Sequence, residues 1–247
     1  MILFRSSTIW ILILLSSFTY GKQPDKNTLF SSATFAMHGK DQSPSEIRFK
    51  DGYETTIATF WQSYKNLFNL PANNKFKAFI SSTDKLGQTH HRFKQYYKGL
   101  EVADMQYILH EKNGLVHLAN GKMIHGLNIN TIPALSEAQA LQKALTQLGA
   151  ESYMWENPLN EAYKRRFEDD KYATYYPKGE LMISSAGNKA DPKEFHLVYR
   201  FEIYAEKPSF AYKVDVDATT GKILNKILAE FYEGKVESIR FFIIREI

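Results

Sequence analysis

The chain has 247 residues, 44% hydrophobic and 14% aromatic, a composition that supports packed cores and excludes an intrinsically disordered protein. Its formal net charge is +4 with the charges interspersed, and Lys164-Arg165-Arg166 is followed at once by Glu168-Asp169-Asp170, which cancels the local field and argues against nucleic acid as a partner. Cysteine is absent, so disulfide scaffolds, thiolate zinc sites and a cysteine nucleophile are excluded together.

Residues 1–21 have the layout of an export signal: Arg5 in a short positive region, an unbroken apolar run over 9–15, then small and polar residues ahead of a cut at Lys22. The apolar run is too short to span ~30 Å of hydrocarbon, so a secreted or periplasmic product is expected, with membrane contact only during export. Residues 22–50, with Pro24 and Pro44 among Ser, Lys and Asp, read as a flexible lead-in. A helix is predicted over 54–68, because Ile57, Phe60, Trp61, Tyr64 and Phe68 recur at spacings of three and four. Trp61 and Tyr64 admit an aromatic ligand platform, but at helical spacing they belong to a core. Leu70-Pro71 ends the helix, since a residue before proline is pushed out of the α region.

Residues 75–129 read as an antiparallel meander. Lys98-Gly99, Asn113-Gly114 and Asn120-Gly121 are the turns, with aromatic and β-branched runs between them. Pro133 then breaks the chain, and Ser136 opens a second helix that Gly149 stops. Ser136 and Gln139 have capping-box spacing, and Ala138, Leu141, Leu145 and Leu148 form the predicted apolar stripe. The segment 153–176 is charged and aromatic without clear period and receives no element. Short strands resume over 180–184, 197–205, 210–216 and 222–227. Helix followed by meander thus occurs twice. The predicted class is α+β, with two consecutive modules over 51–130 and 131–229, each a helix packed on an antiparallel β-meander. Residues 230–247 read as the start of a further domain, because Phe241-Phe-Ile-Ile244 is an apolar run at the terminus, which suggests a truncated gene product.

Several chemical motifs fail on spacing. His110-Glu111 lacks the second histidine of a zinc-peptidase helix, as that position is Gly114, and no His-Glu-x-x-His occurs in the chain. Asp215-Val-Asp217-Ala-Thr219 opens like a calcium loop, but the required glycine is Thr220 and the required glutamate is Lys226, so an ordinary hairpin turn is expected. No Gly-x-Ser-x-Gly elbow is present. Among the seven histidines, His90 and His91 are strand neighbours and must point to opposite faces. A two-residue turn at Asn113-Gly114 would set His110 opposite His117, a pair able to hold a metal or respond to pH, or simply to stack.

The spacing Asp84-x-x-Gly87-x-Thr89-His90-x-Arg92-Phe93-x-Gln95-Tyr96-Tyr97-Lys98-Gly99-x-x-Val102 resembles the motif of the fungalysin/thermolysin propeptide domain, and His110-Glu-Lys-Asn-Gly114 and Ala119-Asn-Gly-Lys122 fit it too. The second module resembles the PepSY domain, through Ser136-Glu-Ala-x-Ala140, Tyr176-Pro-Lys-Gly-Glu-Leu181, Val198-Tyr-Arg-Phe201 and the closing Asp217-Ala-Thr-Thr220-Gly221-Lys222. The resemblance implies the pro-region of a secreted thermolysin-like zinc metalloendopeptidase precursor. It would act as intramolecular chaperone and inhibitor of a catalytic domain that this chain lacks, and so would not itself be an enzyme. The implied partner is that catalytic domain, in cis or in trans, and zinc and calcium would belong there rather than here. The alternatives are a stand-alone PepSY-type protease inhibitor and an envelope binding module. No catalytic, cofactor or metal residue is assigned. Asp84, Gly87, Thr89, His90, Arg92, Gln95, Tyr97, Gly99, Asp217, Thr220 and Gly221 are motif positions with either a structural or a protease-contacting role.

Overall fold

The computed structural model describes residues 32–38, 43–188 and 191–229. The export-signal segment 1–21 and the segment 230–247 lie outside the described residues. Among the described residues, eleven strands and three bounded α-helices make an α+β fold dominated by antiparallel pairing.

The lead-in is not loose throughout. Its described part forms β1 (Ala33–His38) and β2 (Ser43–Phe49), which pair with each other, and β2 pairs with the last strand of the meander through Ile47↔Ala119. The reason lies in Ile47 and Phe49, two residues apart on one strand face and both buried in the first core.

Helix α1 spans Ile57–Phe68, three residues shorter at its start than its apolar period suggests. Thr55 is held to the last meander strand by the Val116 amide, which donates to the Thr55 carbonyl at 2.6 Å, so the helix waits for Thr56, whose hydroxyl accepts from the Thr59 amide. Asn69 closes it in the left-handed region at φ 45°. Phe60, Tyr64 and Phe68 bury one face against Ile47, Phe49, Phe93, Tyr107 and Leu109, and Trp61 stacks on Phe76 with ring centroids 4.6 Å apart. The aromatic pair Trp61 and Tyr64 is core. Each such side chain contributes about 1.5–3 kcal/mol of burial.

The meander follows as β3 (Asn74–Thr83), β4 (Thr89–Tyr97), β5 (Leu100–Lys112) and β6 (Leu115–Gly121). Lys98-Gly99 and Asn113-Gly114 are two-residue turns with positive φ at both positions, the geometry that matches strand twist. Asn120-Gly121 is not a turn. Gly121 lies inside the ladder opposite Tyr107, where a Cβ would fall 2.2 Å from the Gln106 carbonyl oxygen, so glycine serves a close approach of two strands.

Helix α2 (Glu137–Leu148) carries the full capping box between Ser136 and Gln139 and ends at Gly149. Its buried stripe is Ala140, Leu141 and Ala144, with Leu145 and Leu148 at the margin, whereas Ala138 is exposed. The stretch left unassigned holds a short strand β7 (Ser152–Tyr153) and helix α3 (Pro158–Phe167), capped by Asn157 with Pro158 in its first turn. It buries no residue, which explains the missing period.

The second sheet is β8 (Glu180–Ser185), β9 (Phe195–Lys207), β10 (Phe210–Asp217) and β11 (Ile223–Leu228). Its inner face, Leu197, Tyr199, Phe201, Ile203, Val214 and Val216, packs on α2. The two helix-on-sheet layers share one hydrogen-bonded path. Strand β5 leaves β4 at a bulge, and Val102 pairs there in parallel with Ile183 of β8.

Candidate functional site

The first motif stretch sorts into three structural groups. In the first, Asp84 organises the β3–β4 loop: its Oδ1 accepts from the Leu86 amide at 2.8 Å and the Gln88 amide at 3.0 Å, and Gly87 takes φ 74° at the bend. The Gln88 amide, helped by Leu86 and by His90, holds the Asp84 carboxyl below the usual carboxylate range against the opposing effect of desolvation. Thr89 closes the loop base through its hydroxyl, 3.0 Å from that of Thr83.

The second group is a polar relay across the outer face of the first sheet. Asp84 Oδ2 lies 3.2 Å from His90 Nε2, His90 Nδ1 lies 2.7 Å from His110 Nδ1, and His110 Nε2 lies 3.1 Å from Asn120 Oδ1. Three strands and one loop supply it. His110 therefore meets His90, not His117. The register slips between His110 and Glu111, so His110 stands opposite Leu118 and His117 is the extra residue of a bulge. Burial pushes the His110 imidazolium down, Asn120 opposes this, and the charges of His90, His117 and Arg92 add to the fall. His91 points to the other face, as neighbouring strand residues must, and meets Glu111 and Ser81 at 3.1 and 2.9 Å. Arg92 is half-buried on the His90 side of β4, opposite Ile108. Among the described residues no group of three or more acidic or histidine side chains is placed to hold a metal ion.

The third group is a latch. Gln95 is fully buried; its Nε2 donates to Asn74 Oδ1 and to the Ile124 carbonyl, both at 2.8 Å, and its Oε1 accepts from the Ile124 amide at 2.9 Å. Tyr97 is buried beside it and its hydroxyl accepts from the Ile129 amide at 3.4 Å, while Lys98 Nζ donates to the Ile129 carbonyl at 3.3 Å. Gln95 and Tyr97 thus fix the segment leading from the meander to α2, and Gly99 supplies the turn that starts β5.

The second stretch lies in the other sheet. Asp217 Oδ1 accepts from the amides of Thr219 and Thr220 and from the Thr220 hydroxyl at 2.7–3.0 Å, so it is a hairpin turn and this oxygen is occupied. Gly221, at φ 78°, lets the turn approach α2, for a Cβ there would sit 2.1 Å from Lys143 Cδ.

Sequence reasoning missed two features. The Asn120-Gly121 pair reads locally as a turn, and Asp215 reads as part of the same turn as Asp217. Asp215 is instead 1% exposed and accepts from Arg200 Nε at 2.6 Å, Arg200 Nη2 at 2.8 Å, Ser184 Oγ at 2.7 Å and Asn225 Nδ2 at 3.0 Å. Burial pushes its carboxyl up, but the Arg200 hydrogen bonds and charge prevail and hold it below the usual range. The alternation of Arg200 and Asp215 with apolar neighbours was the available signal: both lie on the strand face turned away from α2.

An α+β chain whose motif residues chiefly lock its own turns and linker is the class that fold and site define. Residues 74–123 match the Fungalysin/Thermolysin Propeptide Motif, and these residues are the β3–β6 meander with its continuation. The chain is 28% identical to bacillolysin of Bacillus amyloliquefaciens over 177 residues, 70% of this chain and 31% of the relative. It is 26% identical to the thermolysins of Alicyclobacillus acidocaldarius subsp. acidocaldarius and Bacillus caldolyticus over 191 residues, 74% of this chain and 31% of each relative. The chain thus spans about a third of the length of the curated relatives it matches. Among solved structures, the Bacillus megaterium YpeB C-terminal domain aligns with a TM-score of 0.40 at 11% identity, covering 85% of this chain and 100% of that one. The resemblance to the propeptide region of thermolysin-type precursors holds.

Proposed function

We propose that this chain is the pro-region of a thermolysin-like zinc metalloendopeptidase precursor, acting as folding assistant and inhibitor of a catalytic domain. The propeptide motif over 74–123 carries the reading. It is supported by similarity to bacillolysin and thermolysin that extends beyond the motif to 70–74% of the chain. On this reading the modules over 51–130 and 131–229 are the propeptide-motif and PepSY-like halves, export proceeds through the signal over 1–21, and the partner is a catalytic domain engaged in cis or in trans. Zinc and calcium would belong to that domain.

The division of labour among the motif residues follows. Gln95, Tyr97 and Gly99 set the backbone frame, and the outer face bearing His90, Arg92 and the exposed β3 residues Phe79 and Ile80, the latter paired with Arg92, is left for contact. Shape fitted to one catalytic domain should discriminate among proteases, since buried area alone does not set affinity.

The deciding experiment adds the purified chain in excess to the mature thermolysin-like metallopeptidase from the same source and, separately, to an unrelated serine protease. Slow-release inhibition of the first with no effect on the second is expected. A recovered yield of active enzyme on refolding that rises with added chain reports the folding role. Full activity of the metallopeptidase in excess chain, with no gain on refolding, overturns the proposal. The chain alone should show no chelator-sensitive peptidase turnover.

A further inference from the structure

The His90–His110 contact poses a problem of protons that only one arrangement solves cleanly. Asp84 Oδ2 is an acceptor, so the His90 Nε2 that faces it carries a hydrogen. Asn120 presents its carbonyl oxygen to His110 Nε2, so that nitrogen carries one as well. Both rings are thereby fixed with their distal nitrogens donating, and two Nδ1 atoms are left facing each other at 2.7 Å. Were both rings neutral, two lone pairs would meet at that distance. With Asn120 accepting, a positive charge between them removes that repulsion.

A metal ion and a proton are the two candidates, and the distance separates them. Metal–nitrogen bonds of about 2.0–2.1 Å in tetrahedral geometry hold two nitrogens roughly 3.3 Å apart. The observed 2.7 Å is too short for that, and suits a hydrogen bond with charge on one partner. We propose that His90 and His110 bind one proton between them, forming an imidazolium–imidazole clip that pins the 84–88 loop to β5 and β6 in one charge state only.

The surroundings fit a single charge. Asp84 from the loop favours one proton on the pair. Arg92 from β4 and His117 from β6 stand against a second, and burial of His110 opposes it most. His117 is itself faced by Lys112, Arg48 and Glu54. Loss of the proton brings the lone pairs together, and gain of a second sets two N–H groups head to head. The clip therefore weakens on both sides of a maximum. The loop it holds carries Asp84 and Gly87 of the motif and borders the exposed outer face.

Nitrogen-resolved NMR of the histidine rings, titrated through the imidazole range on the purified chain, tests this. One proton should be taken up jointly by His90 and His110 with both Nε2 atoms protonated. Hydrogen-exchange protection of the 84–88 amides, corrected for intrinsic rates, should peak where one proton is bound. Asn120→Asp retains an acceptor and adds a charge, so it should move the alkaline limb upward by about one pH unit. His110→Gln should flatten the profile. A neutral pair with hydrogen on His110 Nδ1, unmoved by Asn120→Asp, would show that Asn120 donates and overturn the clip. So would perturbation of both Nδ1 signals by one equivalent of zinc with release of the shared proton. None of these readouts involves a protease, so they stand or fall apart from the pro-region reading.

Discussion

At the scale of single residues, burial and hydrogen bonding decide which motif positions are structural. Gln95→Leu keeps roughly the same bulk but removes three hydrogen bonds and leaves Asn74 Oδ1 and both backbone groups of Ile124 without this partner. Destabilisation of about 2–4 kcal/mol is expected, measured by urea unfolding. Asp215→Asn leaves the Arg200 guanidinium without its counter-charge and should cost about 3 kcal/mol. The same residue gives a pH signature. Its folded carboxyl lies below the ordinary 3.8, so its contribution is complete above that value and is lost as pH falls through the folded one. Acid unfolding of the wild type should therefore be steeper below about pH 4 than that of the Asp215→Asn chain. A variant with an unchanged acid limb would remove Asp215 from the account.

Elements show where local signals sufficed and where pairing overrode them. The Ser136 capping box and the Gly149 stop are local hydrogen-bond chemistry, and both were readable. Ser136→Ala should cost about 1 kcal/mol, seen as a lowered denaturation midpoint with unchanged slope. Gly121 looked like a turn because Asn-Gly usually is one, yet strand pairing carries the ladder through it. Gly121→Ala drives a methyl into the Gln106 carbonyl and should destabilise by about 2 kcal/mol or more, whereas Asn120→Gly, which any turn would tolerate, should loosen the histidine relay. Helix α3 has no apolar stripe to announce it, although Asn157-Pro158 is a start signal that does not depend on burial. Ile47 and Phe49 likewise alternate with Glu46 and Arg48, but so short a run between Pro44 and Lys50-Asp51 carries too little weight by itself.

For the molecule as a whole, β5 joins the layers. Tyr107 and Leu109 belong to the first core, Val102 to a third cluster with Ile183 and Phe195, Ala103 to a fourth with Met182 and Val198, and Leu100 packs on the second. A strand that contributes to every cluster should couple their unfolding. Single-tryptophan variants retaining Trp61 in the first layer or Trp155 in the second should therefore show coincident urea transitions. Two separated midpoints would mean that the layers melt independently.

The sequence by itself determined the class, both principal helices, the Lys98-Gly99 and Asn113-Gly114 turns and the family motif, because each of these is written in local spacing and capping chemistry. Only the tertiary structure decided which residues meet. On simple hairpin counting from Lys98-Gly99, His90 would face Tyr107. It faces His110 because residues 102–105 bulge opposite Gln95 alone, with Asp104 at φ 61°, to let β8 dock. A second bulge removed His117 from His110. Bulges are placed by the packing of strands distant in sequence, so the register they set, and with it the Asp84–His90–His110–Asn120 relay, is a property of the folded sheet.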